Sequence, residues 1–202
     1  YQLALETYDK TLLAEEVTNN ANLVAHLKMR KGSILRCLGE FGTAMEIFED
    51  LLQQRNAMIT IQVEAALTLQ QWGDASSQEK YNLAMQGIHH KGSQKKTVWG
   101  WATIARKTND NPKFTATYYQ ARHHLAYCRY CWALSQADNQ RLKTLKRAKQ
   151  DITWTAKFHP ELGGETWKIQ YDTLLKKIQK ALNEKPIGLK AIDLRTASNK
   201  AG

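Results

Sequence analysis

A chain of 202 residues with 43% hydrophobic and 24% charged side chains has the composition of a folded protein, not of a disordered or collagen-like one. No apolar run approaches the ~20 residues of a membrane span. The net charge of +10 is unevenly laid down: residues 1–90 carry 7 Lys+Arg and 11 Asp+Glu, a balance of −4, whereas residues 91–202 carry 22 and 8, a balance of +14. A basic second half attracts acidic partners but names none.

With only three prolines and eleven glycines, helix is favoured nearly throughout. The chain opens at Tyr1 with neither Met nor a signal-like segment, and reads as a fragment of a longer polypeptide whose compartment is unknown. The first clear signal lies in "KGSILRCLGEFGTAMEIFEDLL". Ile34, Leu35 and Leu38 stand at helical spacing before Gly39, and Phe41, Ala44, Met45, Phe48, Leu51 and Leu52 form a second stripe after it. Gly39 suits the left-handed end of a helix, so the stretch predicts a helical hairpin with a tight turn. Gly32, Leu35 and Gly39 then recur as Ala66, Leu69 and Gly73, each 34 residues on.

Helix–turn–helix units at that period, with Gly32-x2-Leu35, Gly39-x-Phe41 and Ala44-x3-Phe48, resemble tetratricopeptide repeats. The small Gly32 and Ala44 would let two helices cross closely, with Phe48 and Leu35 filling space toward the next hairpin. Ala4-x3-Tyr8 is similar to the second helix of a truncated preceding unit. The resemblance implies an all-α fold of antiparallel helical hairpins, stacked as a superhelical array. Tetratricopeptide-like hairpins, the first unit truncated, are expected over residues 1–88.

Residues 89–97, "HHKGSQKKT", read as a polar linker, with His89-His90 incidental. Further hairpins are expected over 98–184. They begin with a short helix from Val98 to about Lys107 and a turn at Asn109–Pro112. A long helix follows, with Tyr118, Ala121, Leu125, Cys128 and Trp132 on one face. The next carries Leu142, Leu145, Ala148 and Ile152 and closes at His159-Pro160, with a corner through Gly163-Gly164. Trp167, Tyr171, Leu174, Leu175, Ile178 and Leu182 line a capping helix. Residues 185–202 read as a tail. The stretch "LAYCRY…HPELGGETW" is also similar to segments of large bacterial repeat proteins.

Chemistry is sparse. His124, Cys128 and Cys131 fall at i, i+4, i+7 on one helix face, but a closed zinc site needs four ligands, and a redox C-x-x-C belongs at a helix start. Cys128 lies on an apolar stripe with Leu125 and Trp132, so a buried small side chain is the simpler account and no metal or cofactor is expected. Trp99 and Trp101 sit beside Ile104, where at least one belongs to the core. There is no phosphate loop, H-E-x-x-H or G-x-S-x-G, and an enzyme is not expected.

The resemblance implies a protein–protein interaction scaffold that holds a peptide or helix of a partner in a concave groove. Its groove side would carry His26, Met29, Arg30, Ser33, Arg36 and Cys37. The alternative is a nucleic acid or other polyanion on the basic half, through Arg141, Lys143, Lys146, Arg147 and Lys149. Tyr127, Tyr130 and Trp132 near Arg122 and Arg129 would then be stacking groups.

Overall fold

The computed structural model describes residues 1–76, 78–89, 92 and 95–192, with Glu15 and Glu16 described by backbone alone. Among these the protein is all-α apart from one short strand pair, and it divides between Gly100 and Trp101 into two units.

The first unit runs α1 (Gln2–Leu12), α2 (Glu15–Thr18), α3 (Ala21–Cys37), α4 (Phe41–Gln54), α5 (Ile59–Ala75), α6 (Glu79–Gln86), β1 (Ile88–His89) and β2 (Lys96–Val98). Asn20 caps α3, its side-chain oxygen accepting from the Leu23 N–H at 3.1 Å. The expected turn follows. Gly39 takes φ +85, its N–H donates to the Arg36 carbonyl, and the Glu40 N–H reaches back to the Leu35 carbonyl at 2.9 Å. So short a turn forces α4 back along α3, and α4 buries Ala44, Met45, Phe48, Leu51 and Leu52 as one stripe. Burying the larger of these side chains stabilises by about 1.5–3 kcal/mol each.

The side chain nearest to Gly32 is Phe48: a methyl group on Gly32 would lie 2.7 Å from the buried Phe48 Cζ. The ring therefore fills space inside its own hairpin. In the second hairpin Gly73 faces Tyr81 in the same way. A methyl group on Gly73 would lie 2.9 Å from Tyr81 Cδ1, and the Tyr81 hydroxyl donates to Asp74 at 2.6 Å. Gly73 is thus no counterpart of the turn residue Gly39, because α5 continues through it to Ala75. Helices α3 and α5 open at Ala21 and Ile59, 38 residues apart instead of 34.

The expected linker is partly a strand pair, β1 against β2, too short to show a period of two. Side chains hold it. Asn56 donates from Nδ2 to the carbonyls of Lys96 and Thr97 at 3.0 and 3.1 Å. The fully buried Gln62 donates to the Thr97 and Asn56 carbonyls at 2.9 Å and accepts from the Trp99 N–H at 2.8 Å. Gly87, at φ +86, lets the chain pass against the Val98 carbonyl, where a side chain would collide with backbone. His90, half of the expected incidental pair, lies outside the described residues, as do Lys91, Ser93 and Gln94.

The second unit begins within α7 (Gly100–Thr108) and continues through a 3-10 turn (Pro112–Phe114), α8 (Thr115–Leu134), α9 (Asp138–Phe158), α10 (Glu165–Ala181) and a second 3-10 turn (Gly188–Ala191). Its core gathers Ala126 from α8, Ala148, Ile152 and Ala156 from α9, Leu162 from the corner, and Tyr171, Leu174, Leu175 and Ile178 from α10. Leu142 is 47% exposed and does not join the α9 stripe. Ten residues before Ile152, it lies about 80° around the helix at 3.6 residues per turn.

Residues 185–192, expected as tail, fold back on α10. The Gly188 N–H donates to Gln179 and the Leu189 N–H to Asp172, each at 2.8 Å, while Leu189 and Ile192 pack on the core. Residues 193–202 lie outside the described residues.

The Gly32–Phe48 contact generates a stability prediction. Gly32→Leu should cost about 1–3 kcal/mol by overpacking, lowering the melting midpoint by about 2–4 °C per kcal/mol. Adding Phe48→Leu should return part of that loss. A cycle with no coupling between the two positions would show that the ring does not set this crossing.

Candidate functional site

Helix α3 turns Ala25, Gly32 and Leu35 inward. That leaves His26, Met29, Arg30, Ser33, Arg36 and Cys37 on another side, at i, i+3, i+4, i+7, i+10 and i+11. The structure separates them into two groups. His26, Arg30 and Cys37 are exposed and Met29 is half-buried. Ser33 and Arg36 are engaged with α5: one oxygen of Glu64 accepts from Ser33 Oγ at 2.7 Å and from Arg36 at 2.9 Å, and a second Arg36 nitrogen donates to Gln71 at 3.0 Å. Charge-assisted hydrogen bonds of this type contribute about 1.5–3 kcal/mol when shielded from water. The bridge ties the first helices of adjacent hairpins together.

The basic residues of the second half are less available than their number implies. Arg141 pairs with Asp138 at 3.3 Å and Lys149 with Glu184 at 2.5 Å. Arg129 pairs with Asp151, and Arg122 donates to Thr155 Oγ1 at 2.9 Å and to the Asp151 carbonyl at 3.2 Å. Burial pushes the Arg129 guanidinium below its ordinary range, with Arg147 and Arg122 adding to that shift. Tyr127 and Tyr130 are half-buried against the core, and Trp132 is half-buried. Lys143, Lys146 and Arg147 remain exposed.

Cys128 is buried, Cys131 half-buried and Cys37 exposed, and no disulfide joins them. Among the described residues no three His, Cys, Asp or Glu side chains stand close enough together to hold a metal ion.

The second unit also contains a ring cluster that is not among the expected sites. Trp101, fully buried as a core tryptophan, stacks on His124 with centroids 4.7 Å apart and planes 16° from parallel. His123 meets His124 at 5.5 Å, Trp167 at 5.4 Å and Tyr171 at 5.2 Å. The Tyr171 hydroxyl donates to the Tyr119 carbonyl at 2.7 Å, which sets the ring that His123 abuts. A signal for it exists in helix spacing: His123 stands four residues after Tyr119 and three before Ala126, both buried. Trp101 Nε1 and the Nδ1 atoms of both histidines are buried without a protein partner.

Burial carries the His123 pKa down to about 4, against a hydrogen bond to the Gln170 backbone that pulls upward. It carries His124 down to about 3, with His123 adding to the shift. An ordinary histidine titrates near 6.5, so between pH 6.5 and 4 the unfolded chain binds more protons than the folded one, and stability falls as pH falls. Each histidine should contribute a slope of up to about 1.4 kcal/mol per pH unit in that window. The check is the urea midpoint at pH 7 and pH 5 for the natural chain and for His124→Phe. The variant should lose roughly half of the pH dependence; equal slopes would show that His124 takes up its proton as readily in the folded chain as in the unfolded one.

No family model, curated protein or solved structure matches the chain, so its function is argued from this geometry.

Proposed function

We propose that the chain is a non-catalytic, helical-repeat binding module of tetratricopeptide-like type, whose α3–α5 side receives a peptide or helix of a partner protein. The observation that carries this reading is the Ser33–Arg36–Glu64–Gln71 bridge. It ties two first helices side by side and leaves His26, Met29 and Arg30 beside the seam. A half-buried thioether flanked by an imidazole and a guanidinium offers apolar contact with a polar rim. Met is adaptable enough to follow an unfamiliar side chain, whereas Arg30 would fix an acidic group.

Exposed Lys143, Lys146 and Arg147 support a second reading, attachment of a polyanion along α9. That affinity would be electrostatic and indifferent to sequence, because the apolar side of α9 is already packed.

Peptides selected from a random display library against the whole chain test the first reading. Selected binders should weaken about tenfold on Met29→Ala or Arg30→Glu, the loss expected for one well-placed contact. They should keep their affinity with Lys143→Gln and Lys146→Gln, and should tolerate a rise in salt. Binders indifferent to both α3 positions would refute the site. Binding of random-sequence oligonucleotides tighter than about 10⁻⁷ M at physiological salt, with sequence preference, would replace the scaffold with a nucleic-acid reader.

A further inference from the structure

Two clefts of the second unit adjoin at Tyr118. One, of about 280 Å³, is walled by Tyr118, Tyr119, His159 and Pro112 and edged by Asn109 and Asp110. The other, of about 250 Å³, lies between Arg106, Arg122 and Tyr118. Asn109 and Tyr118 line both.

The walls are fixed rather than loose. Tyr118, Tyr119 and His159 meet edge to face at 5.2, 5.4 and 5.9 Å, so each ring holds the orientation of the others. The rim is a set turn: Asn109 donates to the Asp110 carboxylate, Asp110 takes φ +58, and the Asn111 side chain accepts from the Lys113 N–H at 3.1 Å. Arg122 is clamped through Nε and one terminal nitrogen to α9, which holds its guanidinium in place on the wall of the second cleft. Arg106 reaches the same cleft from α7 and is exposed. Among the described residues no carboxylate lines the arginine cleft, and no lysine or arginine lines the ring cleft. Burial raises the Tyr118 phenol above its ordinary range, while the nearby Arg122 charge pulls it down and the Asp110 carboxylate adds to the rise.

We propose that the two clefts form one site for a nucleoside phosphate. Arg106 and Arg122 take the phosphoryl group, and the base lies against the Tyr118–Tyr119–His159 wall. Asp110 accepts from a sugar hydroxyl or base amine, and Asn109 donates beside it. A bare anion would use the arginines alone, and an uncharged sugar would leave them idle. An ammonium ion would use Asp110 and the rings but sit close to two guanidiniums. Only a ligand with an anionic head and a flat, hydrogen-bonding body uses both clefts. The +14 balance of residues 91–202 draws such anions toward the site.

Free mononucleotides and the nucleotides of a single strand share this chemistry. The test is calorimetric titration of the whole chain at physiological salt with adenosine 5′-monophosphate, adenosine, inorganic phosphate and a 5′-phosphorylated oligoadenylate. The monophosphate should bind one per chain, about tenfold or more tighter than adenosine or phosphate, as a charge-assisted contact added to a stacked base requires. Arg106→Gln, at an exposed position that folding does not need, should weaken the monophosphate about tenfold and leave adenosine unchanged. Asp110→Asn should weaken adenosine and the monophosphate alike. An oligoadenylate equal to the monophosphate identifies a free or terminal nucleotide as ligand, and a tighter one identifies the strand; both uphold the site. Lack of saturable binding by either nucleotide form below about 1 mM overturns it. So does an equal loss on Lys143→Gln with Lys146→Gln, which would mean diffuse attraction, or preferential binding of arginine amide as a cationic probe.

Discussion

An aromatic ring seated on a glycine is the contact on which the packing of this protein depends. It occurs at Gly32 under Phe48, at Gly73 under Tyr81 and, in the second unit, at Gly163 under Tyr119, where a methyl group would lie 2.7 Å from the ring. In each case a ring needs backbone within van der Waals reach, and only a residue without Cβ allows it. The first two contacts set how closely paired helices approach. The third fixes the α9–α10 corner against Tyr119, and Tyr119 in turn supplies the carbonyl that holds Tyr171 and its neighbour His123.

Helices with long apolar stripes could be read directly from the sequence. The α4 positions Ala44, Met45, Phe48, Leu51 and Leu52 and the α10 positions Tyr171, Leu174, Leu175 and Ile178 are all buried as their spacing requires. Repeat register is less legible. The 34-residue echo aligns Gly39 with Gly73, yet one is in a turn and the other under a ring, because glycine serves both purposes and sequence spacing does not distinguish them. The β1–β2 pair is hidden for another reason. Its order comes from Asn56 and Gln62, about 40 residues upstream, rather than from its own side chains. On the α3 face, spacing puts six residues on one side of the helix but does not show that Glu64 engages two of them.

Charge illustrates the same limit. Counting gives the second half a strong positive balance, but the Arg129 guanidinium is committed to Asp151 and the Lys149 ammonium to Glu184. Such residues act as packing elements, their stems covering apolar surface while their heads satisfy carbonyls and carboxylates. Surface potential is set by those left over, such as Lys143, Lys146 and Arg106. Their positions depend on helix phase, which no sum over a sequence contains.

The Gln62 bracket bears on the order in which the chain is made. Its amide is enclosed in the first unit, and two of its three bonds go to Thr97 and Trp99, 35 and 37 residues further along. Until Trp99 has left the ribosome, Gln62 has only the Asn56 carbonyl, and an open buried amide costs about 1–3 kcal/mol. Helices α3 to α6 can pair as they emerge, since their contacts are nearly local. Completion waits for the strand pair. The minimal autonomous piece of the first unit therefore ends after Trp99, not at the last residue of α6, and proteolytic trimming that spares every helix but removes residues 95–99 would still open its interior.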